Sequence, residues 1–146
     1  MIKPPKYTLL SVKTESSWSW YGPTHVFIFN EKDDQLWIKG VKEIGEEEKE
    51  LGALGSRIIT EHQFDQEKYD NMMVRLQKIT IPAFPVPIIG CDGGVTEFTI
   101  NGGYGQEASY RWWSIVAEGW EPLADIAEEI FDESGIYDKV ESISDK

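Results

Sequence analysis

Few residues of this chain have the chemistry of a nucleophile or a general base. Cys91 is the only cysteine, and His25 and His62 are the only histidines. Thiol catalysis needs a histidine beside the cysteine and a third group that orients the histidine. The residues around Cys91 match no nucleophile motif, and a free cysteine commonly packs as a small apolar side chain. We therefore expect Cys91 to be a buried or turn-lining thiol.

Carboxylates are the next candidates, because Asp33, Asp34 and Asp92 could ligate a cation. The chain has no Asp-x-Asp-x-Asp run, no His-x-x-x-His pair and no EF-hand loop. A single cysteine also excludes an internal disulfide and a zinc site of paired cysteines. All three aspartates stand where the chain is expected to turn, a role that aspartate fills without a ligand. We expect no metal and no cofactor.

The glycine-rich segment Gly102-Gly103-Tyr104-Gly105 has the composition of a phosphate-binding loop. Such a loop leads from a strand into the N-terminus of a helix. Here the segment joins two predicted strands. We therefore interpret its glycines as residues that adopt positive φ and reverse the chain.

Aromatic side chains are the candidates that remain, and the chain has six tryptophans. Tyrosine and tryptophan are over-represented among the residues that dominate protein interfaces. In an extended segment, Tyr110 and Trp112 point to one face while Arg111 and Trp113 point to the other. Because both faces are aromatic, we expect one to belong to the core and the other to a contact surface.

The elements that must position these residues follow from the apolar pattern. Alternating or continuous apolar segments predict strands over residues 7–13, 25–30, 35–41, 57–63 and 95–100, with a return strand that carries residues 110–113. In the third of these, Leu36, Ile38 and Gly40 share one face, and Trp37 and Lys39 share the other.

Two later segments have helical spacing. Asp65 is the expected N-cap of the first helix, Pro122 suits the first turn of the second, and Gly135 is its expected end. The apolar stripes are Tyr69, Met72, Met73, Leu76 and Ile79 in the first helix, and Leu123, Ile126, Ala127, Ile130 and Phe131 in the second. The sequence predicts an α+β fold, with an antiparallel sheet and two amphipathic helices packed on one face. We expect residues 1–146 to form a single domain, with residues 138–146 as a frayed tail.

The net charge of −12 is unevenly spread. Residues 1–78 carry a charge of −2, and residues 79–146 carry −10. Such a surface repels nucleic acid and attracts a basic partner, although acidity also serves solubility alone. The chain has no apolar run long enough to span a membrane, and its first residues lack the apolar region of a signal peptide. We predict a cytoplasmic protein that binds neither nucleic acid nor membranes.

Short motifs in the second half resemble those of a group of uncharacterised small bacterial proteins. The matching residues are Phe84-Pro85, Gly90-Cys91-Asp92-Gly93, Glu97 and Tyr110-Arg111-Trp112, together with an early Trp18-x-Trp20. The resemblance implies an α+β fold and a family without assigned catalytic residues. Proteins of this size, acidity and aromatic content include immunity proteins of bacterial toxin systems.

From these patterns we predict a non-enzymatic, immunity-like protein that inhibits a basic partner, such as a cognate toxin, by steric occlusion. The predicted binding residues are Trp112, Trp113, Arg111, Tyr104, Glu97 and Glu107. The alternative is a small-molecule-binding module or hydrolase built around Asp92, Glu97 and Arg111, which would need a concave pocket there.

Overall fold

The computed structural model describes residues 2, 4–16, 22–31, 34–44, 57–83, 93–103 and 105–144. Several residues named above lie outside these ranges, namely Trp18, Trp20, Asp33, Phe84, Pro85, Cys91, Asp92 and Tyr104. The predictions that concern them remain predictions.

The described residues form six strands in one antiparallel sheet. The strands are β1 (Thr8–Ser16), β2 (Thr24–Asn30), β3 (Leu36–Glu43), β4 (Arg57–Gln63), β5 (Gly94–Gly103) and β6 (Gln106–Trp113). Their order across the sheet is β4-β3-β2-β1-β5-β6, and every neighbouring pair is antiparallel. The central strand β2 is the continuous apolar run, as expected for a strand that is buried on both faces. β6 and β4 are the outermost strands of this order.

Three helices accompany the sheet: α1 (Gln66–Lys78), α2 (Glu121–Ser134) and α3 (Ile136–Ser144). The Asp65 side chain caps α1 by accepting a hydrogen bond from the Glu67 backbone N–H at 2.9 Å. Pro122 lies in the first turn of α2, and Gly135 ends that helix with φ of 70°. These three boundary predictions are confirmed. None of the described helices is long and apolar enough to cross a membrane.

Helix α3 occupies most of residues 138–146, which we expect from the sequence to be a frayed tail. Its first residue, Ile136, is completely buried, and Val140 packs against the same core. Ile136 and Val140 are four residues apart and lie on one side of α3, so this side of the helix packs on the core.

The main core lies between the helices and one face of the sheet, which we call the helix face. All five predicted apolar positions of α2 are buried. Four of them belong to the core on this face, together with strand residues such as Val12, Ile28, Ile38 and Phe98. The fifth, Leu123, belongs to a neighbouring cluster around Trp120. The fold is α+β, as predicted.

The opposite face of the sheet, which we call the second face, has its own smaller cluster. Phe27, Phe29 and Val41 are buried there, and Trp37 packs against them. This confirms the predicted alternation of β3, in which Leu36, Ile38 and Gly40 point to the helix face.

Candidate functional site

Strands β5 and β6 divide the predicted binding residues between the two faces. Glu97 lies opposite Arg111, and Thr96 lies opposite Trp112. By strand alternation, Arg111 and Trp113 are on the second face, together with Glu97 and Glu107. Trp112 points to the helix face instead, and like Tyr110 it packs against the core there. Tyr104 and Asp92 lie outside the described residues.

On the second face, Glu97 lies in a row of alternating charge. Lys13 of β1 is its neighbour on one side and Arg111 of β6 is its neighbour on the other. Arg111 is exposed and Trp113 is half-buried. Cross-strand pairs of opposite charge stabilise a sheet modestly and leave little net charge. This row therefore offers a basic partner less attraction than an uncompensated group of carboxylates would.

The two histidines lie on opposite faces of the sheet and do not form a pair. The His25 ring lies on the second face, 3.9 Å from the Phe27 ring between centroids. Burial, and then the nearby Lys13 ammonium, lower the pKa of His25 to about 4. His62 is on the helix face, and its Nε2 lies 3.1 Å from the Glu133 carbonyl oxygen. At neutral pH, His25 is an uncharged packing residue.

The helix face carries a groove of about 330 Å³ between the end of the sheet and helix α2, which we call the aromatic groove. Trp112, Phe131 and Tyr137 supply its rings. Thr14 and Thr96 lie on its sheet side, and Ala124, Ala127 and Glu128 lie on its helix side.

Small side chains facing each other account for the groove. Thr14 pairs with Thr96, and Thr96 pairs with Trp112, so a row of two threonines and one tryptophan crosses β1, β5 and β6. The helix presents two alanines to this row. One step further into the sheet, the row is Val12, Phe98 and Tyr110, and the first two of these side chains are completely buried. Bulky side chains thus fill the space in the row of Val12, Phe98 and Tyr110, whereas the small side chains of the threonine row leave the groove open.

Tyr137 forms one wall of the groove. Its ring stacks on Phe131, with centroids 5.4 Å apart and planes 26° apart, and 43% of the residue remains exposed. Burial raises the pKa of the Tyr137 hydroxyl, the nearby Thr14 side chain acts against this rise, and the Asp132 and Glu128 carboxylates add to it.

A stripe of carboxylates runs along α2 beside the groove. Asp125, Glu128 and Asp132 are exposed and are spaced i, i+3, i+7, which places them on one side of the helix. Within the described part of the chain, none of the three forms an ion pair. We call these three residues the acidic stripe.

Glu129 and Glu133 of α2 are paired with cations of α1. Arg75 Nη1 lies 2.7 Å from Glu129 Oε2, and Lys68 Nζ lies 3.0 Å from Glu133 Oε1. The two bridges join the helices, although exposed pairs of this kind contribute only about 0–1 kcal/mol each. Apart from Glu121, whose carboxylate accepts a hydrogen bond from the Gly119 N–H at the start of the helix, the uncompensated negative charge of α2 therefore lies next to the aromatic groove.

Of the residues at the aromatic groove and the acidic stripe, Trp112 is among those predicted from the sequence, whereas Tyr137, Glu128 and Asp132 are not. The missed signal is the spacing of Ile136, Val140 and Ile143, which indicates a further helix and so a fixed position for Tyr137. Within the described ranges, no three His, Cys, Asp or Glu side chains come together as a metal site requires. No family model, curated protein or solved structure matches this chain.

Proposed function

We propose that the protein is a binding protein that recognises a basic protein partner through the acidic stripe and the aromatic groove. The observation that carries this proposal is their juxtaposition, since Glu128 belongs to the stripe and also lines the groove. An exposed aromatic site beside uncompensated carboxylates is complementary to a cationic surface.

The partner class follows from charge. With a net charge of −12, the chain repels phosphate backbones, and the described residues from 79 onward contain only two cationic side chains, Arg111 and Lys139. Arg111 lies on the second face, and Lys139 Nζ donates to the Ile59 carbonyl oxygen at 2.5 Å. A basic protein surface is therefore the macromolecule that this side of the molecule attracts most strongly.

The mechanism would be steric occlusion, as in an immunity protein that covers a toxin. The carboxylates would speed the encounter, and the aromatic side chains would slow dissociation. This mechanism requires no reacting group of the protein. The expectation of a toxin as partner rests on the resemblance described above and on the charge of the surface.

The test uses the product of the gene adjacent to the one that encodes this chain. We expect that product to be a basic protein that stops bacterial growth when expressed alone, and we expect co-expression of this chain to restore growth. In stopped-flow mixing, the association rate should fall at least about tenfold between low salt and about 0.5 M NaCl, because screening shortens the reach of the charges. A non-toxic neighbour or a rate that is independent of salt would contradict the proposal.

Two charge-matched triple variants locate the surface. One is Asp125→Asn, Glu128→Gln, Asp132→Asn, which removes the acidic stripe. The other removes three carboxylates from the second face, Glu61→Gln, Glu97→Gln, Glu107→Gln. The first should slow association by about tenfold or more and the second by less than about threefold, because steering depends on where the charge lies. Equal losses would show that only the net charge matters.

A further inference from the structure

We infer that the aromatic groove is the pocket for one arginine side chain of that partner, with its guanidinium between Trp112 and Tyr137 and paired with Glu128. The inference rests on the proposed function and names the group that the site takes. The aromatic rings, the Glu128 carboxylate and the polar sheet side of the groove each provide a separate argument for it.

The rings provide faces for a cation. The Tyr137 ring stacks on Phe131, and 43% of the residue is exposed. Trp112 is half-buried and lines the same groove. A cation over the face of a tryptophan or tyrosine ring is attracted by the negative face of the π-system, and more strongly where water is partly excluded.

Glu128 provides the counter-charge. Its side chain lines the groove, it is exposed, and it forms no ion pair among the residues that the structure describes. Asp132 is the second carboxylate that acts on the Tyr137 ring. A cation placed in the groove therefore meets negative charge on the helix side and ring faces beside it.

The polar sheet side distinguishes arginine from lysine. Thr96 carries a hydroxyl at the floor, next to Trp112 in the register. A guanidinium has five donors in one plane, stacks on aromatic rings and is weakly hydrated, whereas an ammonium is a strongly hydrated point charge. A groove lined by aromatic rings, with oxygen acceptors on its sheet side and on its helix side, suits the planar group better.

The test is a titration with Nα-acetyl-arginine methylamide, followed by NMR at the Trp112 indole N–H and the Tyr137 ring. The controls are the same derivative of citrulline, which has the shape of arginine without its charge, and that of lysine. One cation–π contact and one exposed ion pair give only millimolar affinity, so the titration extends to about 100 mM. We expect arginine to shift both signals at least about threefold more than either control.

Glu128→Gln and Glu129→Gln form a matched pair of variants, since they remove the same charge from adjacent residues. Glu129 is already paired with Arg75 outside the groove. Glu128→Gln should weaken binding of the arginine probe by about fivefold or more, whereas Glu129→Gln should change it less than about twofold. Equal shifts with citrulline, equal effects of the two variants, or no shift at the highest concentration would overturn the inference.

The inference and the proposed function fail in different ways. If the basic partner binds with salt-dependent kinetics but Glu128→Gln and Trp112→Phe leave the complex unchanged, the arginine pocket is wrong and the binding function stands. If the arginine probe enters the groove but the adjacent gene product neither binds nor inhibits growth, the toxin-inhibitor proposal is wrong.

Discussion

Ile136, the first residue of α3, lies directly over Gly40 of β3. A β-carbon built on Gly40 would be 3.0 Å from Ile136 Cβ and 2.8 Å from the Thr60 hydroxyl oxygen. Real β-carbons are almost never found closer than 3.0 Å to another heavy atom. The absence of a side chain at residue 40 is thus what lets α3 approach the sheet, and α3 in turn places Tyr137 at the groove.

The first prediction concerns this contact. Gly40→Val should lower the free energy of unfolding by about 2–3 kcal/mol, because overpacking displaces α3. Gly102→Val is the matched control, since among the described residues a β-carbon there would have no neighbour closer than 3.6 Å. It should change stability by less than about 0.5 kcal/mol, as exposed positions usually do. Urea denaturation measures both, and equal stability of the two variants would show that α3 does not lie on Gly40.

The second prediction concerns the neighbouring hydroxyl. Thr60 Oγ1 is buried and has no hydrogen-bond partner among the described residues. Thr60→Val replaces the hydroxyl by a methyl group of similar shape and should stabilise the protein by about 1 kcal/mol, because an unpaired buried polar atom is removed.

Thr8→Val serves as its control, because Thr8 Oγ1 donates to the Pro5 carbonyl oxygen at 2.7 Å. The same substitution there should cost about 0.5–1.5 kcal/mol. Thermal unfolding of both variants provides the comparison. A destabilised Thr60→Val variant would indicate that water or another group satisfies the hydroxyl.

Gly40 also shows which features of the fold can be predicted from the sequence and which cannot. Alternation placed Leu36, Ile38 and Gly40 on one face, and the structure agrees. The sequence does not show why residue 40 is a glycine, because the reason is its contact with Ile136, which lies 96 residues further along the chain. Short-range patterns predict which face a residue occupies, but not what lies above it.

The aromatic groove was beyond prediction for the same reason. Its sheet side is formed by Thr14, Thr96 and Trp112, and their alignment depends on β5 pairing with β1 in one particular register. The alternation of Tyr110, Arg111, Trp112 and Trp113 was predictable from the chain alone. Which face would receive the helices, and where small residues would leave a gap, required the order of the strands.

The third prediction concerns the stacked pair of rings. Tyr137→Ala should lower the free energy of unfolding by about 1–2 kcal/mol, since the partly exposed ring loses its stacking on Phe131 and part of its burial. Tyr137→Phe keeps the ring and loses only the hydroxyl near Thr14, so it should cost less than about 1 kcal/mol. Chemical denaturation of the two variants separates ring packing from the hydroxyl. If both lose the same stability, the hydroxyl and not the stacking fixes Tyr137.

The fourth prediction concerns the pH dependence of stability, which His25 should dominate on the acid side of neutrality. Its pKa is about 4 in the folded protein and about 6.5 when unfolded, because burial and Lys13 disfavour the charged ring. Between these values the unfolded chain binds a proton that the folded protein does not. The contribution is therefore complete above pH about 6.5 and is lost as the pH falls toward about 4.

Because the ring is partly exposed, the loss is about 1–2 kcal/mol, less than the full shift implies. His25→Gln should reduce the slope of stability against pH in this window, whereas His62→Gln, which removes an exposed imidazole, should retain it. Lys13→Met should move the His25 titration upward, since it removes the repelling ammonium while keeping most of the side-chain stem. Denaturation between pH 4 and 7, with NMR titration of the His25 ring, measures both effects. An unchanged slope in His25→Gln would mean that other groups cause the acid sensitivity, and an unchanged titration in Lys13→Met would leave burial as the sole cause of the shift.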